Sequence, residues 1–242
     1  MMLLYQGDRL PVAATLQKLA GAGCDGAFGP NTRSKVVSFQ TKHGLAPDGV
    51  VGRLTWMKLM QVSGLVTVDV IDVTDGYSQD VEGADVMKAG ATPIMLQGMS
   101  NGVGVMVDLV KTQVGGHGKL ALLRIHAHGR AGKMNVSGTG SDPADMASIA
   151  DVNLGFTGGE LRRLDGVFAR FGSIQLLGCS VGAGVEGQAM LNGVAEATGV
   201  PATGSVKLQY AGGGKTWRYE GPTRTGFPWP TTLAGWAREA TH

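Results

Sequence analysis

The spacing of apolar and polar positions divides the chain into two parts. Up to residue 64 the apolar residues recur with the period of a helix, and glycines follow each helical stretch. Beyond that point the period changes: residues 66–73 alternate and are rich in β-branched side chains, which is typical of a strand. We therefore predict two domains, residues 1–64 and residues 65–242.

The first part predicts three short helices arranged around an internal repeat. Residues 25–32 and 48–55 share the pattern Asp-Gly-x-apolar-Gly-x-x-Thr, and each leads into an amphipathic helix. Asp-Gly favours a tight turn because glycine accepts positive φ. An earlier helix over residues 12–20 completes the set. The predicted small core contains Leu16, Phe28, Phe39 and Trp56.

This doubled motif resembles the peptidoglycan-binding domain that accompanies many bacterial cell-wall hydrolases, over nearly all of residues 10–60. The resemblance implies a small all-α, three-helix module that attaches its partner to peptidoglycan. It leaves the contact residues within 10–60 unknown, and Asp25, Phe28, Thr32 and Trp56 are interpreted as turn and core residues. Seven Lys or Arg against three Asp in this part suit an anionic envelope.

The second part alternates predicted strands with predicted helices. Strands are predicted at 66–73, 92–96, 120–129, 173–178, 200–204 and 215–220, helices at 101–114, 157–171 and 185–198, and largely loop structure at 75–91 and 129–151. Such alternation indicates an α/β fold with a mostly parallel sheet flanked by helices. In sheets of this kind, sites form at the carboxyl ends of the strands.

Two of these strands end in residues that can carry catalytic chemistry. One ends in His128 and Gly129, and the other in Gly178 and Cys179, just before a predicted helix. The helix dipole stabilises the thiolate form of such a cysteine, and a histidine at the same edge can act as its base. The alternative interpretation of Cys179 is a buried, inert thiol at a strand end.

A second histidine, His126, would lie on the same face of the strand as His128 if the strand stays regular to its end. We expect His128, beside the terminal glycine, to be the base. His126 is expected to support it from deeper in the strand or to serve as the alternative base. A His-x-His pair can also ligate a metal, but no further ligand has suitable spacing, so no metal site is expected.

The order of these motifs resembles that of caspase-like (clan CD) cysteine peptidases. Residues 66–221 are similar to a caspase-like domain of large bacterial surface and adhesin proteins, most strongly over residues 171–199. The resemblance implies a caspase-hemoglobinase-like α/β fold with His128 as base and Cys179 as nucleophile. It also implies an oxyanion hole formed by the backbone N–H groups of Gly129 and Cys179.

The chain departs from that pattern at two points. Ala127 stands where the family commonly has serine, which removes a supporting hydrogen bond. Leu-Gly-Cys replaces the Gln-Ala-Cys of caspases, so specificity for aspartate is not implied. In related enzymes the segment after the next strand shapes the specificity pocket, and this makes Ser205 and Trp217 candidates. Trp217 fits a core position equally well.

Composition adds a few limits. The net charge is +2, and the 40 glycines are not periodic, which indicates many short connections rather than disorder. Only two cysteines are present, Cys24 and Cys179, which does not indicate a disulfide framework. A free thiol at Cys179 is the simpler interpretation. No cofactor and no nucleic-acid partner is expected.

Location follows from what the sequence lacks. Residues 1–11 show no basic segment followed by an apolar core, and no run of about 18 apolar residues occurs. We therefore expect neither a secretory signal nor membrane insertion. A bacterial envelope or extracellular location then requires dedicated secretion, a phage particle or release by lysis, and otherwise the protein is cytoplasmic.

Together these features predict a cysteine peptidase held at the cell wall, which cleaves an envelope protein or a peptidoglycan stem peptide. Two alternatives stay open. One is a peptidoglycan amidase or endopeptidase that acts as an effector. The other is a non-enzymatic, peptidoglycan-anchored binding or assembly protein with a degenerate caspase-like domain.

Overall fold

The computed structural model describes residues 2–74, 79–138, 146–210, 216 and 218–241. Its helices are α1 (Pro11–Ala20), α2 (Pro30–Lys42), α3 (Arg53–Ser63), α4 (Ala84–Lys88), α5 (Gly102–Val114), α6 (Leu154–Arg162), α7 (Gly184–Thr198) and α8 (Leu233–Thr241). Its strands are β1 (Val66–Asp72), β2 (Ile94–Leu96), β3 (Leu120–His126), β4 (Gly129–Arg130), β5 (Lys133–Asn135), β6 (Ser148–Ala150), β7 (Phe168–Leu177), β8 (Ala202–Ser205) and β9 (Thr223–Gly226). A π-helical turn (Gln79–Gly83) and a 3-10 turn (Asp151–Asn153) complete the described elements.

Six of the strands form one sheet in the order β2-β1-β3-β7-β8-β9. The first five strands are parallel, and β9 alone runs antiparallel, beside β8. The other three, β4, β5 and β6, form a small antiparallel sheet that follows β3 directly. The predicted mostly parallel sheet, flanked by helices and preceded by a helical N-terminal part, is confirmed.

Both faces of the large sheet are buried, and the two faces differ in chemistry. One face carries Leu123 and Ile125 of β3 and packs against apolar side chains of α5, α6 and α7. The opposite face carries Leu122 of β3 together with two charged residues of the same strand, Arg124 and His126, which are fully buried. A strand that is covered on both sides usually consists almost entirely of apolar residues, so two charged residues within β3 are unusual.

The helical N-terminal part covers this second face of the sheet. Leu16 of α1 and Trp56 of α3 belong to the same buried cluster as Leu122 and Leu177 of the sheet. Polar contacts add to it: the Thr15 hydroxyl donates to the carbonyl oxygen of Phe171 at 2.6 Å. The module is therefore packed on the sheet through a shared core.

The internal repeat is held together twice by the same side-chain network. Gln17 donates from Nε2 to the Asp25 carboxylate at 2.7 Å and to the Thr32 hydroxyl at 3.0 Å. Gln40 makes the equivalent bonds to Asp48 at 2.9 Å and to the Thr55 hydroxyl at 3.1 Å in the second repeat. Asp25 and Thr32 thus have the structural roles that the sequence predicted for them.

Three predicted elements are wrong. The helix predicted over 157–171 is two elements, α6 and the start of β7, because the backbone turns at Gly166, whose left-handed φ of 73° does not continue a helix. The segment 129–151 is not simply a loop, since it contains β4, β5 and β6.

The third concerns the predicted last strand over 215–220. Within it, the described residues 216 and 218–220 form no strand, and the edge strand is β9 instead. Tyr219 explains the difference: its ring is buried on the second face of the sheet, and its hydroxyl donates to the Thr203 carbonyl oxygen at 2.8 Å. Tyr219 therefore packs on a face of the sheet instead of extending its edge. Lys215 and Trp217 lie outside the described residues.

Candidate active site

The two predicted catalytic strand ends lie side by side. β3 and β7 are parallel neighbours, and their last paired residues are His126 and Leu177. Two residues further along each chain come His128 and Cys179, at the carboxyl edge of the sheet. This is the edge at which parallel sheets place their sites. The structure thus brings the predicted base and nucleophile to the same edge, on adjacent chain segments.

The close approach of the two strand ends depends on glycine. A Cβ added to Gly178 would lie 2.6 Å from Sδ of Met134 and 2.8 Å from the carbonyl oxygen of Ala127. A Cβ added to Gly129 would lie 2.3 Å from Cγ1 of Val181. Any larger residue at either position would force the segments apart. Their glycines are therefore steric requirements of the site.

We predict that Gly178→Ala lowers the free energy of unfolding by about 1–3 kcal/mol, because the added methyl group overpacks a closed site. It should also shift the backbone at Cys179, since the two strand ends must separate to admit the methyl. Gly159→Ala is the matched control: it adds the same methyl in α6 with no atom within 4 Å. There we expect a gain of about 0.4–1 kcal/mol. Urea unfolding of both variants checks the contrast, and equal effects would contradict it.

Cys179 is half-buried, and a backbone segment touches its sulfur. The Gln209 N–H donates to Sγ at 3.4 Å, and the thiol in turn reaches the Gln209 carbonyl oxygen at 3.4 Å. The next residue, Ser180, has a φ of 55°, which is the left-handed region that side chains disfavour. Strain of this kind is concentrated at functional sites. The turn through residues 180–183 joins Cys179 to α7, as predicted.

His128 lies at the exposed rim of the same edge. Its carbonyl oxygen accepts a hydrogen bond from the Asn135 N–H at 2.9 Å, which ties the end of β3 to the small sheet. Gly129, which follows it, opens β4. A Cβ added to Gly129 would lie 3.5 Å from the Cys179 carbonyl oxygen. The two residues whose N–H groups were assigned to an oxyanion hole are therefore close neighbours.

His126 has a different environment, a buried group of charges. Its Nε2 lies 3.0 Å from Oδ1 of Asp69, and its Nδ1 lies 3.8 Å from Oε1 of Glu82. Nη2 of Arg124 lies 2.6 Å from the same Asp69 oxygen. Sequence reasoning missed Asp69 and Arg124. Asp69 and Arg124 could have been identified because charged residues are unusual inside apolar strands such as β1 and β3.

The buried charges stabilise one another. Burial alone would raise the pKa of Asp69, but the Arg124 charge and the hydrogen bond with His126 outweigh it and hold that pKa below its usual range. Burial likewise opposes the charged form of His126, yet the carboxylates of Asp69 and Glu82 outweigh it and raise the His126 pKa. A histidine that holds its proton in an ion pair is a poor general base. The raised pKa of His126 is consistent with the expectation that His128, and not His126, would serve as a base.

This pairing predicts a pH dependence of stability. Because the pKa of His126 is raised on folding, its contribution is fully present below the unfolded value of about 6.5 and is lost as the pH rises through the folded value. The native protein should therefore lose stability above about pH 6.5 more steeply than His126→Gln does. Urea unfolding of both proteins between neutral and alkaline pH measures the two slopes. Parallel slopes would contradict the assignment.

An open cleft of about 570 Å³ adjoins the cysteine turn. It is lined by Ser180, Lys207, Leu208, Tyr210, Glu220 and Gly221. Ser205, predicted to shape this pocket, is fully buried, and its hydroxyl accepts bonds from the Lys207 N–H and from Nε2 of Gln209. It therefore holds the cleft segment in place from beneath. The other predicted pocket residue, Trp217, lies outside the described residues.

Two further findings concern only the part of the chain that the structure describes. No group of three His, Cys, Asp or Glu side chains there could hold a metal ion. No helix there is both long and apolar enough to cross a bilayer.

Comparison with known proteins separates the same two parts of the chain. The family described as a peptidoglycan binding domain matches residues 14–59. A family described as a domain of unknown function, DUF4347, matches residues 73–224, which is more than half of the chain. The chain belongs to the DUF4347 family. His128 and Cys179 both lie within the DUF4347 match.

A curated relative covers only a short stretch. An uncharacterized protein in the bpoA1 3' region of Kitasatospora aureofaciens is 59% identical over 39 residues. That alignment takes in 16% of this chain and 33% of the relative, so the chain spans about a third of the relative's length. The peptidoglycan binding match confirms the predicted resemblance of the N-terminal part to that family and supports association with the cell wall.

Proposed function

We propose that the chain is a caspase-like cysteine peptidase that works at the cell wall. The observation that supports the proposal is the parallel pairing of β3 with β7, whose last paired residues, His126 and Leu177, each lie two residues before His128 and Cys179. Two further features of this edge support the proposal. Gly129 and Gly178 are required sterically, and Ser180 has a left-handed backbone of the kind that is concentrated at functional sites.

The reaction uses only groups of this chain and water. His128 takes the proton of Cys179, and the thiolate attacks the carbonyl carbon of the scissile peptide bond. The oxyanion that forms accepts hydrogen bonds from the backbone N–H groups of Gly129 and Cys179. His128 then protonates the departing amine, leaving an acyl group on Sγ. Water, activated by the same histidine, releases the acid and restores the thiol.

The packing of the N-terminal module sets where this chemistry takes place. Because Leu16 and Trp56 share a core with the sheet, the module and the edge bearing Cys179 belong to one packed body. Binding to peptidoglycan would hold the edge at a fixed position relative to the wall. The substrate is accordingly a peptide close to the glycan, either a peptidoglycan stem peptide or a segment of an envelope protein.

A binding-only protein is the second candidate, and one contact favours it. The backbone of Gln209 occupies both hydrogen-bonding roles of the Cys179 thiol, and the Gln209 side chain is itself fixed by Ser205 and by the backbone of Glu220. A substrate carbonyl must displace this contact to reach Sγ. A degenerate site would retain it permanently.

The test uses purified full-length protein and its Cys179→Ala variant with two substrates, peptidoglycan sacculi and a mixed peptide library, read by mass spectrometry. Cleaved library peptides or new muropeptides from the native protein alone would support the peptidase. Loss of stem peptides at the glycan junction would identify an amidase. Retention on sacculi with no product from either substrate would favour the binding-only protein.

A further inference from the structure

A second groove, of about 650 Å³, runs between α7 and the segment that follows β9. It is lined by Gln188, Asn192 and Glu196 on the α7 side and by Phe227, Trp229 and Thr231 on the other. These residues are distinct from those that line the cleft beside Cys179. The groove therefore needs an explanation separate from the proposed chemistry.

Trp229 gives this groove a rigid aromatic surface. Its side chain is 38% exposed, which is unusual for the largest apolar residue. Pro228 and Pro230 flank it, and each fixes its own φ, so the backbone that carries the indole has little conformational freedom to lose on binding. Trp229 also lines a smaller cavity of about 280 Å³ that includes Arg170 and Glu239. Its side chain therefore contributes to both this cavity and the groove.

The α7 side of the groove presents a ladder of hydrogen-bonding groups. Gln188, Asn192 and Glu196 follow one another at intervals of four residues, which separates them by about 6 Å along the helix. Nε2 of Gln188 donates to Oδ1 of Asn192 at 2.9 Å, and this fixes the orientation of both amides. Oε1 of Gln188 and Nδ2 of Asn192 take no part in that bond, so the pair offers both an acceptor and a donor.

This combination suits a saccharide. A pyranose ring has an apolar C–H face that packs on an indole, and its edge carries hydroxyl and acetamido groups that need donors and acceptors together. Of the described residues that line the groove, none is Lys or Arg, and one, Glu196, is acidic. A strongly anionic ligand is therefore disfavoured. A neutral, N-acetylated sugar chain meets both the aromatic and the amide requirement.

The segment that carries Trp229 is joined to a helix that packs against the peptidoglycan-binding module. The segment that bears Trp229 leads into α8, whose Leu233 packs so closely on Gly26 that a Cβ there would meet it at 2.6 Å. Gly26 belongs to the first Asp-Gly turn of the module. Trp236 of α8 shares a buried cluster with Ala14 of α1. The groove and the module are thus held together by direct packing.

We propose that this groove binds the glycan strand of peptidoglycan, extending the wall-binding surface from the N-terminal module onto the α/β part of the chain. Trp229 carries the sugar ring, and Gln188 and Asn192 bind its polar edge. The proposal stands independently of the cysteine chemistry. It requires only that the protein meets peptidoglycan, which the N-terminal family match supports.

Calorimetric titration of the full chain with a soluble tetramer of β-1,4-linked N-acetylglucosamine tests this site. Trp229→Ala should weaken binding about tenfold, and Trp229→Phe should retain most of it because the ring face remains. Asn192→Leu, on the exposed side of α7, should weaken binding about fivefold without touching the core. Phe156→Ala, which removes an exposed aromatic residue of α6 far along the chain, should leave binding unchanged.

The outcomes separate cleanly. Equal binding by the native protein, Trp229→Ala and Asn192→Leu would place the sugar elsewhere and overturn the proposal. Absence of saccharide binding together with binding of a proline-rich peptide at Trp229 would overturn it in favour of a protein partner. Circular dichroism of each variant establishes that the fold is intact, and loss of peptidase activity in Cys179→Ala does not bear on this result.

Discussion

Replacing His128 by alanine is expected to lower peptide hydrolysis by about 10²–10⁴-fold, the range that a positioned general base contributes. Cys179→Ala should remove hydrolysis altogether, because it removes the nucleophile. His128 is exposed, so the substitution leaves no cavity in the core and should leave the thermal midpoint nearly unchanged. Initial rates with a cleaved library peptide measure the effect.

Two other histidines provide controls for this experiment. His117→Ala replaces an exposed histidine that precedes β3, at the opposite end of that strand from His128, and should retain full activity. His126→Gln removes a buried ion-pair partner. We expect it to lower the stability of the fold, and not to reduce hydrolysis in the way that loss of the base would. Full activity in His128→Ala, or complete loss in a folded His126→Gln, would contradict the assignment of the base.

The largest loss of stability is expected from Asp69→Asn. This change removes the carboxylate that neutralises Arg124 and His126, both fully buried. Breaking a buried pair by removing one partner costs about 3–5 kcal/mol, because an uncompensated charge remains in the interior. The contribution of Asp69 should be present above its unfolded pKa of about 3.9 and be lost as the pH falls below it, since folding lowers this pKa.

Asp108→Asn is the matched control, because Asp108 pairs with Arg163 on the surface. Its side chain is 62% exposed, and exposed pairs contribute at most about 1 kcal/mol. Urea unfolding at neutral pH compares the two variants by their free energies of unfolding. A loss in Asp69→Asn no greater than that in Asp108→Asn would show that the buried charges are not interdependent.

The helical module was predictable because its signals are local. The glycines of the two Asp-Gly turns and the glycines after α1 and α3 adopt left-handed φ values. Because this backbone conformation favours glycine, each turn can be predicted from the few residues around it. The repeated glutamine network, by contrast, joins Gln17 to Thr32 and Gln40 to Thr55, and it is visible in the sequence only after the fold is known.

The site was predicted in part. His-Gly and Gly-Cys strand ends were apparent from the apolar runs, yet their adjacency depends on the strand order, which periodicity does not reveal. The false helix over 157–171 arose because Leu161, Leu164 and Phe168 keep helical spacing across the turn at Gly166. Packing of α8 and of the whole module on the sheet is a tertiary effect: the amphipathic pattern of residues 233–241 indicates a helix with one buried face, but not the surface that this face packs against.

The proposed activation of the Cys179 thiol by His128 is tested most directly by alkylation with iodoacetamide near neutral pH. Mass spectrometry measures the alkylation rate of each cysteine separately. Cys24 is an internal reference, since both cysteines are free and half-buried. We expect Cys179 to react faster than Cys24 in the native protein and to lose this advantage in His128→Ala. Equal rates at the two cysteines, or a fast Cys179 in His128→Ala, would contradict this expectation.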